Sequence, residues 1–444
     1  MLSSSWAVVW LPLAALVMSA CARADGQSTP VVTHAADTRP AASDSTPSAV
    51  AFGDRVPDVD GASDPRPWHA VVSPKRLVST LGALAQGPDL ARTAGGFGAV
   101  WAGSDGLRFQ RLDERGAPGI PGAPLPTSGD GWSPQWPLLI ATGDGFASVW
   151  TARVGSVGAG DPPVEQVNLE IFSSLLDPSG RPRGPSTRVS HAPGYSMGPS
   201  LVAAGSGFAV VWQDDRDGNS EIYFARLAPD GAITGPEVRV TDAPGTSYFP
   251  SITFTGREYG IAWSDERDHD WEIYFARLDA TGHKLGPDVR VTKAPGESGH
   301  PAIVWSGDAY RILWSDARGP SSDGQIYAAS LDASGRRMGD EIVLTDRAKD
   351  ARAPSLRSVG RTLWATWTLR APNPYGGPRL VEVHFERLDL DERRIGEDVL
   401  VASALVDGIN EARVVPAPGG AGFLWGEISQ AKNEVYFARL ATGE

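Results

Sequence analysis

YGIAWSDERDHDWEIYFARLDATG, residues Tyr259 to Gly282, is the stretch that decides the fold. An apolar run ends in Trp263. A charged loop follows, and a second run, Glu272 to Leu278, leads into a turn at Asp279-Ala280-Thr281-Gly282. Short runs rich in aromatic and branched residues, bounded by Gly and Asp, read as paired β-strands. The unit recurs on both sides, as GFAVVWQDDRDGNSEIYFARLAPDG (Gly207 to Gly231) and YRILWSDARGPSSDGQIYAASLDASG (Tyr310 to Gly335). Fainter copies end in Trp101, Trp150, Trp367 and Trp425.

The seven tryptophans Trp101, Trp150, Trp212, Trp263, Trp314, Trp367 and Trp425 are spaced by 49, 62, 51, 51, 53 and 58 residues. A period near 50 built from short apolar runs and Gly/Pro turns is the pattern of propeller blades. Each unit divides into four strands. A contains Pro250-Ser251-Ile252, and B is the run ending in Trp. C is Glu221 to Leu227 or Glu272 to Leu278, and D is Val238 to Thr241 or Val289 to Thr292. B and C are apolar on both faces, as strands packed between neighbouring blades must be.

The last unit has strand C, Glu434 to Leu440, and no strand D after it. Upstream of the first unit, Pro74 to Thr80 resembles Gly286 to Thr292. The expectation is an all-β, seven-bladed β-propeller of four-stranded antiparallel blades over residues 70–444, the last blade closed by the N-terminal strand. Such closure removes the open edge at the seam.

Two stretches carry a family resemblance. One is Asp214-Asp215-Arg216-Asp217-Gly218-Asn219 with Glu221-Ile222-Tyr223 and Val240-Thr241. The other is Ser264-Asp265-Glu266-Arg267-Asp268 with Leu278-Asp279-Ala280-Thr281-Gly282. Over about residues 200 to 340 the chain resembles the propeller repeats of the periplasmic protein TolB and its WD-like bacterial relatives. Thr255-Gly256-Arg257-Glu258 replaces that family's Ser-Pro-Asp-Gly turn. Such repeats serve binding, scaffolding and gating, so the resemblance implies fold and envelope location more than activity.

Residues 6–20 form an uncharged apolar run, too short to span a membrane but suited to a signal peptide. Met18-Ser19-Ala20-Cys21 follows and resembles the lipobox of bacterial lipoproteins, although no Lys or Arg precedes the run. The resemblance implies cleavage before Cys21, lipidation of that cysteine, and anchoring to the cell envelope, at the outer membrane. Residues 22–69, rich in Ala, Ser, Thr, Asp and Pro, read as a flexible tether of roughly 40 Å mean span. Cys21 is the single cysteine, so neither an internal disulfide nor a multi-cysteine zinc site is possible.

Net charge is −13, which disfavours nucleic acid as a partner and leaves the lipid anchor as the only membrane contact. A monomer is expected. Three units share Trp-x-Asp-x-Arg, at Asp214/Arg216, Asp265/Arg267 and Asp316/Arg318. Repetition favours a structural role, since one active site needs no copies. Asp265, Arg267, Asp316 and Arg318 are also candidate ligand contacts, with Tyr248, His269, Trp271 and His300, which fall in loops expected around the channel mouth. Asp215/Asp217/Asn219/Glu221 and Glu266/Asp268/Asp270/Glu272 alternate oxygen donors in a way that suits calcium, or residues that simply face solvent.

The sialidase Asp-box is not found, and the sequence alone pairs no two carboxylates for hydrolysis. The preferred expectation is a non-catalytic envelope lipoprotein that binds or scaffolds a protein or glycan. A sialidase-like glycoside hydrolase and a calcium-dependent adhesin are the alternatives.

Overall fold

The computed structural model describes residues 70–442 except 82–85, 104–105, 120–124, 126–133, 155–167, 319–323, 346–349, 372–377, 410 and 430–432. The signal segment, Cys21 and the 22–69 tether lie outside the described residues. Every strand pairing is antiparallel, and the strands form seven sheets, one per repeat. Blade 4 shows the pattern: A is Ser247–Phe254, B Glu258–Asp265, C Glu272–Asp279 and D Val289–Arg290. D is shorter than its sequence suggests. Thr292 Oγ1 accepts the Ile273 amide at 2.8 Å and ends the ladder. Among the described residues blade 1 has three strands, and Leu125 bridges to Leu107 on the third of them.

The ring closes as expected. Arg76–Leu81 pairs with the last strand, Asn433–Thr442, opposing Arg76 to Phe437 and Leu81 to Asn433. Ala70–Val72 extends the same edge. The A strands touch their neighbours around the whole ring, the seventh against the first. They therefore line the centre, and the B–C loops emerge at the end where each A strand begins.

Blades adhere through rings. At five of the seven interfaces an aromatic side chain on strand C meets one on strand B of the next blade, as in Phe224–Tyr259 (4.9 Å), Phe275–Tyr310 (4.8 Å) and, across the seam, Phe437–Phe97 (5.1 Å). Such pairs contribute about 0.5–1.5 kcal/mol each beyond area burial. Gly260 makes room for one of them, since a Cβ there would stand 2.4 Å from the Tyr310 ring.

The inner edge of each A strand would leave amides unpaired. Side chains of the preceding blade cap them: Ser200 Oγ accepts the Ile252 amide at 3.3 Å, Ser251 Oγ that of Ile303 at 3.2 Å, and Asp89 Oδ2 that of Leu139 at 2.7 Å. These caps stitch one blade to the next without a shared ladder.

Candidate functional site

The repeated Trp-x-Asp-x-Arg motif is architecture. In blade 4, Asp265 is 1% exposed and accepts Trp263 Nε1 at 2.7 Å and Ser247 Oγ at 3.0 Å. Arg267 grips both its oxygens at 2.7 Å and lies over the Tyr274 ring at 4.3 Å. Blades 3 and 5 repeat this with Asp214/Arg216/Tyr223 and Asp316/Arg318/Tyr327. Asp265, Arg267, Asp316 and Arg318, expected as ligand contacts, are thus committed to holding the B–C loops. Blade 7 reaches the same end with other residues: Trp425 Nε1 donates to Glu427 at 3.0 Å, and Lys75 of the closing segment bonds Glu427 at 2.6 Å and covers Tyr436 at 4.2 Å.

The oxygen-rich loops are not assembled into metal cages. Glu221 and Glu272 are buried, each bonded to a threonine of its own blade (Thr241, Thr292) and to an arginine (Arg239 at 2.9 Å, Arg290 at 2.6 Å). Asp215 accepts the Tyr195 amide at 2.6 Å, and Asn219 donates to Glu221 at 3.0 Å. Asp217 and Asp268 accept from Tyr223 and Tyr274. Glu266 accepts Thr246 Oγ1 at 2.9 Å, and Asp270 is exposed. Among the described residues no three His, Cys, Asp or Glu side chains converge as a metal requires. The alternation places successive donors on different partners rather than around one point.

The channel mouth is where expected residues come together. Tyr248 and Trp271 stack at 5.6 Å and 17°. His300 stacks on Phe249 at 4.0 Å and 26°, and Phe249 stands 6.0 Å from Tyr248. Phe249 is 38% exposed, and the other three rings are partly exposed. His269 is not part of this group. It sits exposed in a turn, its amide bonded to the Glu266 carbonyl.

Phe249 carries a signal in the sequence that attention to loops passed over. Phe249-Pro250 and His300-Pro301 lie one repeat apart, as do Gly87-Pro88, Trp136-Pro137, Gly198-Pro199 and Ala353-Pro354 in other blades. Each marks a bulge in strand A, with φ between +49° and +59° at the residue before proline. Glycine adopts that conformation freely and is used in blades 1 and 3. Trp136, Phe249, His300 and Ala353 adopt it at a cost of about 1–2 kcal/mol each. Three of these four carry rings where glycine would be easier.

Charged groups continue the site on both sides. Burial, with Arg352 and Arg370 nearby, lowers the His300 imidazole to about 4, so it is neutral at pH 7. Across the ring, Arg413 bonds Glu411 at 2.8 Å and stands 3.5 Å from Asp89. Glu411 occupies the Phe249 position of blade 7, and the surrounding protein pushes its carboxyl up despite Arg413.

The expectation that the chain has no Gly-x-Ser-x-Gly elbow is corrected by Gly194-Tyr195-Ser196-Met197-Gly198, which has the spacing of a hydrolase nucleophile elbow. Ser196 opens the A strand of blade 3, is 1% exposed, and donates to Asp214 at 2.7 Å. Its hydroxyl is a structural link and not a nucleophile on a strand-to-helix turn.

No protein-family model matches the chain, and no curated protein matches it. Among solved structures it is similar to the subtype N11 neuraminidase-like protein of A/flat-faced bat/Peru, with 11% identity and TM-score 0.45 over 89% of this chain and 98% of that one. It is also similar to an endo-arabinase from Bacteroides thetaiotaomicron (13%, TM-score 0.37, 56% of this chain and 93% of that one). A third is the GH43 endo-arabinanase from Bacillus licheniformis (14%, TM-score 0.34, 60% of this chain and all of that one). These likenesses are too shallow to bear on activity.

Proposed function

We propose that the protein is a glycan-binding propeller of the cell envelope, tethered through Cys21, whose site is the channel mouth at blades 4 and 5. The stacked rings Tyr248/Trp271 and Phe249/His300 carry this reading. Aromatic faces left partly open suit sugar rings, whose C–H faces pack on them while their hydroxyls reach polar neighbours. The strained placement of Phe249 and His300 supports a role beyond packing.

Trp271→Ala and Tyr248→Ala should each weaken oligosaccharide binding about tenfold or more, since losing an aromatic platform removes about 1–3 kcal/mol. The blade 4 core lies elsewhere, so the unfolding midpoint should stay within a degree or two. Titration of the purified protein against immobilised or soluble oligosaccharides checks this. Unchanged affinity in both variants would remove the site.

One observation favours a second reading, glycoside hydrolysis. Glu411, its carboxyl raised, and Asp89 flank Arg413 in the channel. A raised carboxyl paired with a second carboxylate is the chemistry of a general acid and its partner. Release of reducing ends that stops in Glu411→Gln would establish turnover, whereas retention of intact ligand supports binding alone.

A further inference from the structure

The structure assigns a cationic subsite beside the stacked rings: Arg352, Arg370 and Arg379 of blade 6 receive an anionic group, carboxylate or sulfate, of an acidic oligosaccharide. This rests on the channel-mouth reading and names the ligand class it implies. Arg352 lies on the A strand Asp350–Val359, one residue before the bulge, at the register position Tyr248 holds in blade 4. Arg370 ends the B strand Thr362–Arg370 and opposes Asp350, and Arg379 opens the C strand Arg379–Leu388. All three therefore stand at the B–C loop end of one blade.

Asp350 opposes Arg370 and is already engaged. Both its oxygens accept Arg352 Nε, at 2.7 and 2.8 Å, and Oδ1 also accepts the Gly324 amide at 2.8 Å. Arg370 Nε and Arg379 Nε are buried without a hydrogen-bond partner, and neither arginine has an ion pair among the described residues. Burial, Arg352 and Arg379 together destabilise the Arg370 charge, and Asp350 offsets this only in part. An unpaired, desolvated guanidinium is costly, and it is a ready donor pair for a planar or tetrahedral anion. The cluster stands in a chain whose net charge is −13.

The subsite adjoins the stack. His300 feels Arg352 and Arg370, and its ring lies on Phe249. The imidazole is neutral there, so it accepts or donates a hydrogen bond without adding charge. A sugar ring on the aromatic faces would thus present a neighbouring acidic substituent to blade 6.

The test titrates the full chain with three matched oligosaccharides, one uronate-bearing, one sulfated and one neutral. Wild type should prefer an acidic form by about tenfold or more at low salt, with the preference shrinking as salt rises. Arg370→Gln should abolish that preference, leave neutral binding intact, and leave thermal stability equal or higher because an unpaired buried charge is gone. Trp271→Ala should weaken acidic and neutral forms alike. An acidic preference that survives Arg370→Gln would overturn the subsite while sparing glycan binding. If wild type binds none of the three, the stacking reading fails. The subsite is then decided by following His300 ring resonances with glucuronate and with inorganic sulfate. A shift lost in Arg370→Gln supports it, and no shift in wild type overturns it.

Discussion

Replacing Asp265 by alanine destabilises the protein by about 3–5 kcal/mol, the range for breaking a buried, hydrogen-bonded ion pair by removing one partner. Asp265 is 1% exposed and accepts from Trp263, Ser247, the Arg267 side chain and the Arg267 amide. Its loss orphans an indole N–H in the core and a half-buried guanidinium that also faces Asp288 at 3.0 Å. Asp270→Ala, five residues on and exposed, should change stability by less than about 0.5 kcal/mol. Denaturant unfolding of both variants separates the two, and equal midpoints would contradict the structural role of the motif.

The same network makes the protein acid-sensitive. Burial alone would raise the carboxyl of Asp214, but hydrogen bonds from Arg216, Ser196 and Trp212 and the Arg216 charge outweigh it and hold the group below its ordinary value. A carboxyl depressed on folding contributes stability that is complete above its unfolded value near 4. That contribution is lost as pH falls through the folded one.

Starting the chain at residue 82 should cost at least about 5 kcal/mol or abolish cooperative unfolding. The truncation strips the outer strand from blade 7, including a ladder that runs from Arg76 opposite Phe437 to Leu81 opposite Asn433, each bond contributing about 1 kcal/mol. It also removes Lys75 from Glu427 and Tyr436, the cation that Arg267 supplies in blade 4. The strand Asn433–Thr442, whose Val435, Phe437, Ala438 and Leu440 are fully buried, would then carry an open edge. A peptide of residues 70–81 added in trans should restore part of the loss, seen as a rise in unfolding midpoint with peptide concentration. An unchanged midpoint in the truncated chain would mean the ring does not depend on this seam.

Blade number and closure were readable because both rest on local pattern. Seven apolar runs end in a tryptophan that is buried in every blade, and the segment at Lys75 repeats the D-strand pattern of Val289 to Thr292. The site was legible in part. Tyr248, Trp271 and His300 do meet at the mouth, whereas Asp265, Arg267, Asp316 and Arg318 turned inward, because loop position alone does not say which way a side chain faces. Phe249 was hidden by its place on a strand. Arg370 and Arg379 were hidden because blade 6 has Leu369 where blades 3, 4 and 5 have the motif aspartate, so the repeat pattern does not mark the residue after it. Their significance lies in side-chain nitrogens, Arg370 Nε and Arg379 Nε, that find no hydrogen-bond partner among the described residues, and this is visible only once the chain is folded.

The most direct measurement is a crystal structure of the propeller with a retained acidic oligosaccharide. The expected result is a sugar ring on the Tyr248/Trp271 or Phe249/His300 faces with an acidic substituent at Arg370. Ligand seated elsewhere, as in the cleft lined by Ser173, Arg183, Thr187 and Asp230 between blades 2 and 3, with the channel mouth empty, would contradict it.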